Sequence, residues 1–80
     1  MKGIIKKIGV INEDSTYNTI GDAHHVEFEA LPIIGDRFYV QEAGRPTWST
    51  SGVQMIKKLD ANHYRLETYH SVYELTLVTL

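Results

Sequence analysis

Between Thr50 and Leu80 the chain alternates apolar and polar residues with the period of two that is typical of half-buried β-strands. Short polar corners at 59–62 and 69–71 divide this stretch into runs that we predict to be three consecutive antiparallel strands. In the first run the apolar positions change parity between Val53 and Ile56, which predicts a bulge. The last run is apolar on both faces at its end, so its second face needs a cover.

The first half of the chain gives shorter strand signals. Residues 2–11 combine β-branched side chains with two glycines, which favours a kinked or bulged strand. Residues 23–30 alternate cleanly, and residues 37–41 place Phe38 and Val40 on one face. The corner at 31–36 contains Gly35, which can take a positive φ, and polar loops are predicted at 12–22 and 42–47. We therefore predict one all-β domain over residues 1–80, a small antiparallel SH3-like barrel or strongly bent sheet of five to six strands.

The chain has 80 residues and no cysteine, so its stability has to come from packing and not from disulfides or thiolate zinc sites. The lysines of the first seven residues interrupt the apolar positions that a secretory signal would need. No apolar run approaches the length that spans a membrane. We expect a cytoplasmic protein without a membrane partner.

Candidate chemistry is sparse. His24 and His25 are the best metal candidates, but adjacent strand residues point to opposite faces and cannot reach one ion. Serines and histidines are present, yet no Gly-x-Ser-x-Gly elbow or glycine-rich oxyanion loop organises them. We predict no catalytic residue, no metal site and no cofactor, and hence no enzyme.

Two groups of residues offer better material for binding. The first belongs to the loop before the long strand and to its start, and the second forms the tip of a hairpin. Arginine presents forked donors, and Trp and Tyr present rigid faces for a nucleotide-like ligand or a partner side chain. The alternative is that Trp48 is a core aromatic and that the hydroxyls close strand ends. The predicted contact residues are Arg45, Trp48, Thr50, Ser51, Tyr69, His70 and Ser71.

Two further surfaces suggest partners. Val78 and Leu80 form the apolar end of the last strand, where a second copy of the chain could bind. Five lysines, Lys2, Lys6, Lys7, Lys57 and Lys58, would form a patch for nucleic acid if the first strand paired with the strand carrying residues 53–56. The net charge of −2 argues against binding mainly through phosphates, so nucleic acid is an alternative and not the favoured partner.

Three short motifs carry a family resemblance over residues 31–77: Pro32 followed by Gly35-Asp36-Arg37-Phe38, then Thr50-Ser51-x-Val53-x-x-Ile56, then Thr68-x-x-Ser71-x-Tyr73-x-Leu75. This pattern resembles small uncharacterised β-rich proteins of bacteriophages and mobile elements. The chain departs from it at His70, where an Asn suited to a left-handed turn is more usual.

The resemblance implies a protein that acts by stoichiometric binding. We expect a non-enzymatic binding module that inhibits a host protein or sequesters a small nucleotide-like ligand, acting as a homo-oligomer. The alternatives are a nucleic-acid-binding small barrel and a structural or assembly protein of a virion or mobile element.

Overall fold

The computed structural model of the chain describes residues 1–12 and 19–78, which form six β-strands and no helix. The strands are β1 (Lys2–Val10), β2 (Ala23–Glu27), β3 (Arg37–Val40), β4 (Trp48–Asp60), β5 (His63–Thr68) and β6 (Ser71–Val78). In this part of the chain there is consequently no helix of the length and apolarity that crossing a membrane requires. The predicted all-β class is confirmed.

All the strands belong to one antiparallel sheet in the order β2-β1-β6-β5-β4-β3. The two outermost strands of this order, β2 and β3, meet again at a single bridge between Glu27 and Gln41. Each of these residues donates its N–H to the carbonyl oxygen of the other at 2.8 Å. The sheet is therefore a nearly closed barrel, as the SH3-like prediction requires.

The core follows from the alternation along each strand. Ile5, Leu66 and Leu75 are fully buried inside the barrel, where they come from three neighbouring strands. Phe28 and Phe38 meet edge to face, with ring centroids 5.1 Å apart, below the bridge. Trp48 is 5% exposed and belongs to the same apolar cluster. Its ring is therefore a core aromatic, which was the alternative to a contact role.

Irregularities bend the strands where the sequence predicts them. The pairing of β4 with β5 shifts between Val53 and Met55, and the pairing of β1 with β6 shifts between Lys7 and Gly9. Gly35 has a φ of 98° in the corner before β3. Both predicted bulges and the predicted glycine corner are confirmed.

The corner between β5 and β6 is closed by Thr68. Its Oγ1 donates to the carbonyl oxygen of Ser71 at 2.9 Å and accepts the N–H of Ser71 at 3.0 Å. Among the described residues only glycines have a positive φ. The corner therefore has no left-handed position, and the departure from the family pattern at His70 carries no backbone strain.

The predicted lysine patch is wrong, because β1 pairs with β2 and β6 and not with β4. Two strands, β6 and β5, lie between β1 and β4 in the sheet. Lys7 is only 2% exposed and so adds nothing to a surface patch. On the outer face, Lys6 is paired with Glu74, which is in turn paired with Arg65, so charges of both signs are mixed.

Candidate functional site

The first predicted group, Arg45 and Trp48, is organised around the carboxylate of Glu42. Arg45 Nη1 donates to Glu42 Oε1 at 2.9 Å, and Trp48 Nε1 donates to the same oxygen at 3.2 Å. His24 Nδ1 lies 3.0 Å from Glu42 Oε2. The Arg45 guanidinium also lies over the indole ring, 5.8 Å from its centroid.

The contacts of Glu42 fix the tautomer of His24. A carboxylate only accepts hydrogen bonds, so His24 Nδ1 must carry the proton that it donates to Glu42. Arg45 Nη1 also lies 3.3 Å from His24 Nδ1. These two donors come close to each other because both of them donate to the Glu42 carboxylate. His24 Nε2 is buried and has no hydrogen-bond partner.

The charge state of Glu42 follows from these contacts. Partial burial raises the pKa of Glu42, but the hydrogen bonds from His24 and Trp48 and the positive charge of Arg45 outweigh it, and the net pKa is lowered. The side chain of Glu42 is only 18% exposed. Glu42 is therefore an ionised anchor that holds the 41–47 loop against β2, and it engages donors of Arg45 and Trp48 within the protein.

The second predicted group surrounds the corner between β5 and β6. Ser51 Oγ accepts the N–H of His70 at 3.0 Å, and Asn12 Nδ2 donates to the carbonyl oxygen of Tyr69 at 2.6 Å. Tyr69 is 59% exposed, and its ring meets that of His70 edge to face at 4.9 Å. Tyr69 is thus the most accessible side chain of this group.

The other hydroxyls of the predicted site lie inside the barrel. Thr50 is 2% exposed, and its Oγ1 accepts the N–H of Phe38 at 3.2 Å and donates to the carbonyl oxygen of Ser51 at 2.7 Å. Ser71 is 1% exposed, and its hydroxyl has no hydrogen-bond partner. The structure thus divides the predicted residues between two groups, one beside Trp48 and one beside Ser51.

The residues predicted for self-association are only partly described. Val78 is 39% exposed and lines a cleft of about 500 Å³ together with His25 and Arg45. Leu80 lies outside the described residues, as does most of the predicted 12–22 loop.

A large recess of the described surface lies away from both groups of predicted contact residues. It is a groove of about 840 Å³ beside the Glu27–Gln41 bridge. We call it the seam groove; its lining includes Phe28, Leu31, Ile33, Arg37, Phe38 and Tyr39. Phe28 and Phe38 are buried in its floor, whereas Leu31, Ile33 and Tyr39 are 41%, 59% and 62% exposed.

The groove exists because β2 and β3 part immediately after the bridge. Phe28 stays beside Met1, which immediately precedes β1: its N–H donates to the carbonyl oxygen of Met1 and its carbonyl oxygen accepts the amino group of Met1, both at 2.9 Å. The chain then bends, while β3 remains paired with β4. The space between the parting strands is the groove.

The rim of the seam groove is mixed in charge. Three carboxylates line it, those of Glu27, Glu29 and Asp36, together with the cations of Lys2, Arg37 and the Met1 amino group. Lys2 lies 3.8 Å from Glu27, so this pair is partly neutralised. The groove thus combines exposed apolar side chains with carboxylates at its margin.

A signal for this surface was present in the sequence. Leu31, Ile33 and Ile34 are apolar residues in a segment that is predicted to be a corner, and Tyr39 is an apolar residue on the outward parity of its strand. Apolar residues at positions that the pattern assigns to solvent indicate a contact surface. The proline and glycine of this segment also fit a turn, so the local pattern alone predicts only a corner.

Within residues 1–12 and 19–78, no three His, Asp or Glu side chains are arranged to hold a metal ion. The chain matches no protein-family model, no curated protein and no solved structure. The resemblance to phage and mobile-element proteins therefore stays a prediction.

Proposed function

We propose that this protein is a non-enzymatic binding module that docks onto another protein through the seam groove. The observation that carries the proposal is the cluster of Leu31, Ile33 and Tyr39, which stand exposed around one concave surface. Exposed apolar side chains that gather at a groove with a polar rim are the usual composition of a protein-binding site. Tyrosine is also among the residues that most often dominate binding energy.

The geometry of the other predicted residues supports a protein partner over a small nucleotide-like ligand. Arg45 and Trp48 both donate to Glu42, so a ligand anion at this position would have to compete with a carboxylate already in place. A partner that binds the seam groove would not have to displace an internal contact, because the apolar side chains are already exposed before it arrives. Inhibition of a host protein by occupation of its surface would need no further chemistry.

A comparison of binding between matched variants tests this proposal. Wild-type protein, Ile33→Asp and Leu59→Asp are immobilised, and the proteins retained from extract of the producing cells are quantified by mass spectrometry. Leu59 is a suitable control because it is 44% exposed on β4, outside the lining of the groove. We expect one partner that wild type and Leu59→Asp retain equally and Ile33→Asp retains at least about tenfold less, since a charge placed in an apolar contact is strongly unfavourable.

Equal retention by all three proteins would place the binding surface elsewhere. Retention of additional copies of the chain alone would favour the homo-oligomer or the assembly protein, and retention of nucleic acid that is lost at high salt would favour the small nucleic-acid-binding barrel.

A further inference from the structure

We infer that the partner binds the seam groove as an extended segment that adds a strand to the free edge of β3. This inference rests on the proposed function and specifies its mode of recognition. The segment would have apolar side chains at alternate positions and at least one lysine or arginine. Such a segment is recognised through hydrogen bonds to its main chain as much as through contacts with its side chains.

The main chain of β3 has hydrogen-bonding groups that point into the groove. Gln41 directs both its N–H and its carbonyl oxygen at Glu27, away from β4. In a strand, residues two apart point their main-chain groups to the same side. Arg37 and Tyr39 therefore direct theirs to the same side as Gln41, into the groove, whereas Phe38 directs its N–H to Thr50 on β4.

This edge of β3 has no partner strand beyond the bridge in the described part of the chain. At the bridge the main-chain N–H and carbonyl groups of Gln41 are hydrogen-bonded to Glu27. If β2 and β3 continued to pair beyond the bridge, Glu29 would lie opposite Tyr39. The chain instead bends at Glu29 and Ala30 after Phe28 has bonded to Met1. The bridge thus leaves an edge that an incoming segment can extend without breaking any of the bonds of the barrel.

The walls of the groove match the two faces of an extended segment. Side chains of an added strand alternate between two faces. One face would lie over the buried rings of Phe28 and Phe38, and the other would lie beside the exposed Tyr39. Apolar residues suit the first face.

Charge specifies the remaining position. Glu29 and Asp36 line the groove. A lysine or arginine of the incoming segment could pair with these carboxylates at the rim, where the pairing selects the partner more than it adds affinity.

The experiment uses random dodecapeptides displayed on a surface and selected on the intact protein. A selected peptide is then synthesised in three forms: unmodified, N-methylated at the alternate residues that face β3, and N-methylated at the other alternate residues. N-methylation removes an N–H and leaves the side chain in place. We expect the first modification to weaken binding about tenfold or more, because at least two hydrogen bonds are lost, and the second to leave it within about twofold.

Amide hydrogen exchange of the protein gives the complementary result. We expect the amides of Arg37 and Tyr39 to be slowed by the unmodified peptide, and the amides of the fully paired β5 to be unchanged. Selected peptides should carry apolar residues at alternate positions and at least one lysine or arginine.

The outcomes separate the inference from the proposed function. Peptides that bind in the groove but tolerate both N-methylation patterns would overturn strand addition and leave the groove as the binding site. Failure to select any peptide, with a cellular partner that is still lost in Ile33→Asp, would also overturn it, because the partner would then present a folded surface. Absence of both peptide binding and the variant-sensitive partner would overturn the proposed function as well.

Discussion

At the scale of single residues, Glu42 organises more of the molecule than its position in a loop suggests. Its carboxylate accepts hydrogen bonds from His24, Arg45 and Trp48 and so ties the 41–47 loop to β2 and to the start of β4. These donors stabilise the ionised form and lower the pKa of Glu42 against the opposing effect of burial.

Glu42→Gln should therefore destabilise the protein at neutral pH, by about 1–3 kcal/mol, the range for hydrogen bonds to a charged group. Because the folded carboxylate has the lower pKa, it binds fewer protons than the unfolded one. Its contribution is complete above the usual glutamate pKa and is lost as the pH falls through the lowered value.

Urea unfolding from neutral to acidic pH checks this prediction. The stability difference between wild type and Glu42→Gln should shrink at the acidic end. Glu27→Gln is the control, since the Glu27 side chain is 64% exposed and its ion pair with Lys2 is long. A difference that stays constant with pH would show that the charge of Glu42 is not what stabilises the loop.

Thr68 is the second residue with a measurable role. Its hydroxyl makes two buried hydrogen bonds with the main chain of Ser71. Thr68→Val keeps the shape and leaves both main-chain groups unsatisfied, so we expect a loss of about 1–3 kcal/mol in the free energy of unfolding. Thr76→Val, on an exposed position of β6, should be within about 0.5 kcal/mol of wild type. Equal effects of the two substitutions in thermal or urea unfolding would contradict the role of the corner.

Individual site residues were predictable only in part. Arg45 and Trp48 were placed together because they are close in sequence, but their partners Glu42 and His24 lie in polar stretches that give no pattern of their own. Tyr69 was expected at a hairpin tip and is exposed there. The burial of Lys7 was unexpected because lysine at 2% exposure is rare, and the alternation of Gly3, Ile5 and Lys7 was the only sign of it.

At the scale of elements, β1 contains two glycines with opposite requirements. A Cβ on Gly3 would lie 2.9 Å from the carbonyl oxygen of Thr76 and 3.2 Å from the ring of Phe28. A Cβ on Gly9 would meet only the side chain of Val72, at 3.7 Å. Gly3 is thus required by the close approach of β6, whereas Gly9 is not.

Gly3→Ala should lower the free energy of unfolding by about 1–3 kcal/mol, because the clash involves main chain that cannot move away cheaply. Gly9→Ala should be neutral or slightly stabilising, since alanine loses less backbone entropy on folding. Thermal unfolding of the two variants side by side checks this. A larger loss in Gly9→Ala than in Gly3→Ala would mean that β1 does not pack as described.

The strands themselves were largely predictable, because each combines period-two alternation with a turn signal at its ends. The predicted strand at 63–68 is β5, whereas the strand predicted at 23–30 begins as predicted but ends at Glu27, where β2 leaves the bridge. The neighbours of β1 were not predictable. Alternation predicts which residues face inward but not which strand lies alongside. The predicted lysine patch is wrong because it requires β1 to pair with β4, whereas β1 pairs with β6.

At the scale of the whole molecule, the barrel is closed by one bridge. The Glu27–Gln41 pair contributes two hydrogen bonds, whereas β6 is paired along most of its length with both β1 and β5. The seam is therefore the least supported junction between strands, and it borders the groove.

Native-state hydrogen exchange should show this directly. The amides of Glu27 and Gln41 should open with a lower free energy than those of Leu66 and Tyr73, which lie in the middle of the sheet. Equal opening free energies would mean that the barrel opens only as a unit and that the bridge between β2 and β3 is no weaker than the pairing of β5 with β6.

The barrel class could be predicted because six short alternating segments without a helical pattern have few other solutions. The seam groove could not, since it depends on where β2 and β3 part, and a contact between Glu27 and Gln41 leaves no mark in either local pattern. The function of the molecule is argued from that surface and not from its fold.

The central claim is that partners bind at the seam groove, and a cross-linking scan tests it most directly. A photoreactive amino acid replaces, one at a time, Leu31, Ile33 and Tyr39 around the groove and Met55 and Leu59 away from it, all exposed apolar positions. After illumination in the producing cells, we expect a covalent adduct with one protein from the three groove positions and none from the other two. Adducts of equal yield from both sets, or only from positions 55 and 59, would contradict the claim.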